Sequence, residues 1–322
     1  MEEQNLSRAL EGKNVIVIGA AGGTGSGFAK YFASQGANIL CNDAGFAMME
    51  QGGDFDVTRP SHDEADRITA EIRAMGGTAE ADYHDASDWN NSKAIVEHCV
   101  DAFGSCDVVV HASVISRLGM IDEMTEENWN LVLRHNLNTS FYITHHSLPY
   151  MKKQNYGRHI FIMSATVRDM WCGANFAAAT GGRYSFMRDL ALEVKDYNIT
   201  ANAIQPYTQT KTGQRPDGQK MLEARSKALG IPLRKDFNDT LLPPGETNAP
   251  LGAYLCTDEG RVFNGQYFDN HLGRICIWST MLEQRYIYKD IEKDGFWTVD
   301  ELREIMPAAL LPAASKLFYE RV

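Results

Sequence analysis

Apolar and polar positions follow a repeated order along this chain: a short apolar run, a segment with apolar residues at helical spacing, then another apolar run. Val15 to Ile18 is the first run, rich in β-branched residues, which suits a parallel strand covered on both faces. A helix is expected over about Thr24 to Gln35, with Phe28, Tyr31 and Phe32 inward, and a second strand over Asn38 to Asn42. Gly45 to Pro60 matches no period and reads as a loop of about 16 residues, a length usually kept for function. Helix signals resume at Ser61, with Ile68, Ile72 and Met75 at helical spacing, and stop at Gly76 and Gly77. Further strands are expected at Thr78 to Tyr83, Asp107 to Val110, His159 to Met163, Asn198 to Ile204 and Phe263 to Asp269. Between them lie a helix starting near Trp89, a long one from Thr125 to about Tyr150, one carrying residues 173–195, and a short one at Ala249 to Cys256. Residues 207–248 are polar and irregular and read as a lid over a substrate. The pattern therefore predicts an α/β fold, a parallel sheet of about seven strands in a single domain over 1–273, with a C-terminal extension over 274–322.

The segment from Asn14 to Asp43 carries the first chemical signal. Gly19, Gly22, Gly23, Gly25 and Gly27 follow the first strand and run into the first helix. Glycines there let the backbone approach a pyrophosphate, and the amides at Thr24 and beyond open a helix N-terminus to an anion. The second strand stops at Asp43, some 18 residues after Gly25, where a carboxylate can accept hydrogen bonds from an adenosine ribose. Strand, turn, helix and acid together point to a bound dinucleotide. Asp43 would meet a 2′-phosphate with like charge and no Arg follows it in NDAGFAMME, so NAD is expected over NADP.

Composition narrows the partners. The net charge is −11 with both signs interspersed, which speaks against nucleic acid or an anionic membrane as the main partner. The six cysteines show neither paired nor metal-ligand spacing, so reduced thiols and no metal site are expected. The polar start MEEQNLSRALEGK has no apolar signal core and no long apolar run follows, so a cytoplasmic location is expected.

The glycine spacing, Gly19-x-x-x-Gly23-x-Gly25, resembles the T-G-x-x-x-G-x-G turn of the short-chain dehydrogenase/reductase family, with Ile18 at the Thr position. That resemblance implies a doubly wound Rossmann-type sheet and an NAD-linked oxidoreductase. NDAG after the second strand, EIRAMGGTAEADY, SRLGMIDEMTEENW and the D-G-x-W-T tail are similar to the (3R)-hydroxyacyl-CoA dehydrogenase part of multifunctional β-oxidation enzymes. The family places a carboxylate beside the adenine, for which Asp85 is suited; Asp85 and Ser87 can equally cap the helix near Trp89. Asn136 in RHNLNTSF matches the Asn that interrupts the family's long helix and holds a relay water, or simply fills a kink. Pro206 takes the place of the family's P-G turn, and Thr208, Thr210 or Thr212 would meet the nicotinamide carboxamide.

The departures concern proton transfer. HASV, residues 111–114, replaces the family's N-N-A-G; His111 reads either as a proton shuttle or as a structural residue. Matching NFAAATGG to N-Y-S-A-A-K-x-G puts Phe176 at the Tyr position and Thr180 at the Lys position, and neither side chain can take those roles. Ser164 fills the Ser role if the intervening loop is one residue shorter. Arg183 is a candidate for the missing charge, Arg168 and Asp169 for substrate contact, while Tyr184 lies about 12 Å along the helix from Phe176. Two readings follow from the resemblance. One is an NAD-dependent oxidoreductase on a secondary alcohol or ketone of a bulky, CoA-linked or alicyclic small molecule, with a substituted relay. The other is a redox-inactive subunit partnering an active homologue; a non-redox lyase or isomerase is a third use of the same fold. Apolar and aromatic residues on the helices at 125–150 and 173–195 predict a homo- or hetero-oligomer.

Overall fold

The structure is a computed structural model that describes residues 8–48, 55–164, 173–206, 208, 226–227, 244–271, 274–278, 286–294 and 296–310. The chain divides into two compact units, Met1–Ile277 and Trp278–Val322. In the first, β1 (Asn14–Ile18), β2 (Asn38–Asn42), β5 (Thr78–Asp82), β6 (Val108–His111), β7 (Gly157–Ile162), β8 (Ile199–Pro206), β9 (Tyr267–His271) and β10 (Arg274–Ile277) form one sheet. Its order is β10-β9-β8-β7-β6-β1-β2-β5. All neighbours are parallel except the edge pair β10 and β9. About seven strands are expected from the sequence; the eighth is the antiparallel edge strand β10, whose short apolar run, 275–277, falls in the stretch read as the C-terminal extension. Because strand order reverses between β6 and β1, the crevice at that junction is where such a sheet holds a ligand.

Side chains alternate across the sheet, so each strand feeds two layers. Val15, Val17, Ile39, Cys41, Val108, Val110, Ile160 and Ile162 face α1 (Gly23–Ser34) and α7 (Ala249–Cys256), where Phe28, Phe32, Leu251 and Leu255 complete the core. Burying an aromatic of this size contributes about 2 kcal/mol or more. Gly252 lets α7 approach, since a Cβ there would lie 2.5 Å from the Phe28 ring. On the other face, His111 and Phe161 pack towards α6 (Ala174–Glu193), whose Arg183 and Phe186 reach them.

Several local features differ from the sequence pattern, each for a visible reason. Residues 45–60 contain a small antiparallel ladder, β3 (Ala47–Met48) with β4 (Phe55–Asp56), too short to leave a period. In α2 (Asp63–Ala74), Ile68 and Ile72 are fully buried but Met75 is 59% exposed, because it lies past the helix end. The N-cap of α3 (Trp89–Phe103) is Asp88, whose carboxylate accepts from the amides of Asn90 and Asn91, both at 2.9 Å, rather than Asp85 or Ser87. The long helix is interrupted: α4 (Glu126–Leu133) passes through a π-helical turn, Arg134–Asn138, into α5 (Thr139–Gln154). The second unit carries α8 (Ile291–Asp294) and α9 (Val299–Ala309), the latter opened by a capping box between Thr298 and Glu301. Most of the stretch read as a lid, 207–248, lies outside the described residues. No helix among those described is long and apolar enough to cross a membrane.

Candidate functional site

The crevice is built first by the turn between β1 and α1. Gly19 has φ +80°, and a Cβ on it would lie 2.8 Å from the Ser113 Cα; at Gly25 a Cβ would fall 2.0 Å from the Gly19 carbonyl oxygen. Any side chain at either position collides with backbone, so the turn needs glycine. Its amides are fixed by β2: Gly19 N and Ala20 N both donate to the Asn42 carbonyl, at 2.9 and 3.0 Å. Helix α1 begins at Gly23, buries Thr24, and has no acidic residue in its first turn, which leaves its positive end free for an anion. Asp43 closes this side; one carboxylate oxygen accepts from Ala21 N at 3.0 Å and the other from Gly45 N at 2.8 Å.

A cleft opens beside the turn, lined by Gly19, Asp43, Phe46, Asp85, Ser113 and His135 among others. Asp85 accepts from Ser87 N and Ser87 Oγ, each at 2.9 Å, and faces Arg134 at 3.5 Å. His135 is 4% exposed. Burial, with Arg134 and Arg117 nearby, pushes its imidazole down to about 4 against the opposing pull of Asp85. Phe46 meets that ring edge-on at 5.6 Å.

The Cβ-intolerant turn, the open helix end and the carboxylate at the strand tip are what a dinucleotide requires: amides at a pyrophosphate and an acceptor at a ribose. Among the described residues no cluster of His, Cys, Asp and Glu has the makings of a metal site.

The opposite end of the crevice is where the proton-handling residues were sought. Phe176 sits half-buried in the first turn of α6, its amide donating to Asn175 Oδ1 at 2.7 Å. Thr180 is buried, and its hydroxyl donates to the Phe176 carbonyl at 2.9 Å. Neither side chain titrates at these positions. Asn136 lies in the π turn and clamps one residue from both sides, its Oδ1 accepting from Ile115 N at 2.8 Å and its Nδ2 donating to Ile115 O at 2.9 Å. This fixes the irregular segment that follows HASV. Ser164 lies just beyond β7, and its carbonyl accepts from the Tyr267 hydroxyl at 3.2 Å, which also reaches Gln205 Oε1 at 2.8 Å. Pro206 closes β8, and Thr208 beyond it is 9% exposed. Arg168 and Asp169 lie outside the described residues.

His111 is 2% exposed, stacked on Phe161 with ring centres 4.2 Å apart, and its Nε2 lies 3.2 Å from His159 Nδ1. Burial first, then His159 and Arg183, hold its pKa well below the usual histidine range. That placement leaves His111 out of direct contact with a substrate in the crevice. Arg183 Nη2 donates to the His111 carbonyl at 2.9 Å. Tyr184 lies edge-on to Tyr267, ring centres 5.9 Å apart, away from Phe176. Asn175 and Tyr267 were not singled out in the sequence. Asn175 Nδ2 ties α6 to the Arg117 carbonyl at 2.9 Å, 58 positions away, and no local pattern signals such a bond.

The model of the family described as short chain dehydrogenase matches residues 13–220. The chain is 34% identical over 267 residues to the peroxisomal multifunctional enzyme type 2 of Mus musculus, covering 83% of this chain but about a third, 32%, of that enzyme. It is 30% identical over 256 residues to the D-beta-hydroxybutyrate dehydrogenase of Cupriavidus necator, covering 78% and 88% of the two chains. The crystal structure of a short chain dehydrogenase from Mycobacterium avium superposes with a TM-score of 0.76 at 26% identity, covering 97% of this chain and all of that one. On the glycine turn, the reversed strand order and these matches, the chain belongs to the short-chain dehydrogenase/reductase family.

Proposed function

We propose that this chain is an NAD(H)-dependent oxidoreductase acting on a secondary alcohol or ketone of a bulky acyl or alicyclic small molecule, without the family's Tyr and Lys as proton carriers. The observation that carries the reading is the fit of the cradle, in which Gly19 and Gly25 tolerate no Cβ and Asp43 is held at the turn by Ala21 N. A nicotinamide cofactor, when bound, supplies the hydride donor or acceptor. The chain's own residues bind and orient. Gly19, Gly23, Thr24 and Gly25 would hold the pyrophosphate, Asp43 the ribose, Asp85 the adenine side, and Pro206 with Thr208 the carboxamide side. Ser164, its carbonyl fixed by Tyr267, polarises the substrate oxygen, and Asn136 orders the water from which a proton is exchanged. Arg183 supplies positive charge from behind the crevice wall, and His111 passes that contact to the wall through its carbonyl. The Cupriavidus relative's name, a hydroxybutyrate dehydrogenase, supports a β-hydroxyacyl-type substrate.

The test is NADH oxidation by the purified protein on a panel of 3-oxoacyl thioesters and alicyclic ketones. Ketone-dependent loss of NADH is expected, slow for the family. Calorimetric binding of NADH with no turnover on any of them would leave the second reading, a redox-inactive subunit, which the absence of a titrating side chain at Phe176 and Thr180 favours; a second, active homologue should then co-purify.

A further inference from the structure

Arg183 occupies a place where a guanidinium is costly. The residue is 2% exposed, and its Nε has no hydrogen-bond partner. Its Nη2 donates to a neutral acceptor, the His111 carbonyl, at 2.9 Å. Burial lowers its pKa only to about 10, so it is a cation at neutral pH. Among the described residues, the groups that meet it bring no negative charge. Burial pushes the His159 imidazole down to about 3, and His111 is likewise held low, so both are neutral. Their outer ring nitrogens, His111 Nδ1 and His159 Nε2, are also buried without partners. A buried charge that lacks a counter-charge destabilises a fold and persists where it serves something else.

The position shows what it faces. The carbonyl it touches is the last of β6, and the next amide, Ala112 N, donates to the Ile18 carbonyl at 3.0 Å. The residue after that, Ser113, lines the cleft and lies against Gly19. The cation is thus set one layer behind the crevice wall, at the junction of β1 and β6 where the strand order reverses. A charge in that low-dielectric layer is screened little by salt, and its field reaches into the crevice.

Building on the cofactor reading, we infer that Arg183 biases the redox state of the bound nucleotide: its fixed charge disfavours the cationic oxidised nicotinamide and leaves the neutral reduced ring unpenalised. Both forms carry the same anionic pyrophosphate, so attraction to the phosphates cancels from their ratio. The site therefore holds NADH more tightly than NAD⁺ and is poised for ketone reduction.

The test is calorimetric titration of NADH and of NAD⁺ into the unmodified protein, Arg183→Met and Arg183→Lys. A neutral, similarly sized Met should fold at least as well, because it removes an uncompensated buried charge. The unmodified protein should prefer NADH, and Arg183→Met should reduce that preference by about ten-fold, the size of a unit-charge interaction across roughly 12 Å at an effective dielectric near 20. Arg183→Lys should retain most of it. A merely structural role would weaken both nucleotides together and leave the ratio alone. A folded Arg183→Met with an unchanged ratio overturns the inference while leaving the cofactor reading intact. The unmodified protein answers without any variant: tighter NAD⁺ than NADH overturns the inference, and binding of neither overturns the cofactor reading as well.

Discussion

At the scale of single residues, the crevice separates side chains that select a ligand from those that only support the wall. On the proposed cofactor reading, Asp43 belongs to the first kind. Its carboxylate stands at the tip of β2, fixed by Ala21 N, where a 2′-phosphate would meet like charge. NADH is therefore expected to bind at least ten-fold more tightly than NADPH, and Asp43→Ala should weaken NADH and narrow the gap; calorimetry giving tighter NADPH binding to the unmodified protein would contradict this. His159 belongs to the second kind. Its pKa in the folded chain is about 3, against roughly 6.5 when unfolded, so between those values the unfolded state binds the extra proton. The contribution is intact above pH 6.5 and is lost as pH falls towards 3; His135, at about 4, acts in the same direction. Melting temperatures should drop between pH 7.5 and pH 5, and a flat or rising profile would argue that neither ring is neutral and buried. The acid at position 43 and the glycines were legible in the sequence because they sit within one contiguous strand, turn and strand. The burial of His111 was not, since it depends on Phe161 and Arg183, which the chain supplies 50 or more positions later.

At the scale of elements, the π turn at Arg134–Asn138 connects the helix layer to the crevice. A π turn costs regular helical hydrogen bonding and is frequent at functional sites. Here Asn136 offsets that cost with two hydrogen bonds to Ile115. Asn136→Ala should destabilise the fold by about 1–3 kcal/mol, the loss expected when buried partners are left unpaired. Denaturant unfolding measures it; no change in midpoint would show that the clamp holds nothing. The strands β1, β2 and β6 were readable because burial on both faces writes near-continuous apolar runs, whereas β7 and β8 bury Arg158, His159, Thr200 and Asn202 among theirs. The edge strand β10 and the β3–β4 ladder were not, because one is only four residues long at the start of the stretch read as an extension and the other has two residues per strand. Contacts such as Tyr267 to Ser164, 103 positions apart, leave no local trace.

At the scale of the whole molecule, an aromatic patch remains on the helix layer. Phe141 is 45% and Trp89 38% exposed, yet Trp89 also meets Tyr142 at 5.2 Å and Phe141 meets Phe186 at 6.4 Å. Rings clustered but uncovered mark an association surface. Light scattering at micromolar concentration should give a multiple of 35.9 kDa, and Phe141→Glu should lower it; a monomer mass for the unmodified protein would refute the patch as an interface. The central claim is the proposed one: a cradle fit for a dinucleotide beside a helix, α6, that carries Phe176 and Thr180 at the positions the resemblance assigns to the family's proton carriers. The measurement that tests it most directly is ketone-dependent NADH oxidation by the unmodified protein and by Phe176→Tyr with Thr180→Lys. General acid–base groups commonly contribute 10²- to 10⁴-fold, and HASV supports them imperfectly, so a rise of at least ten-fold with NADH affinity within a few fold is expected. An unchanged or lower rate in the folded double variant would contradict the account.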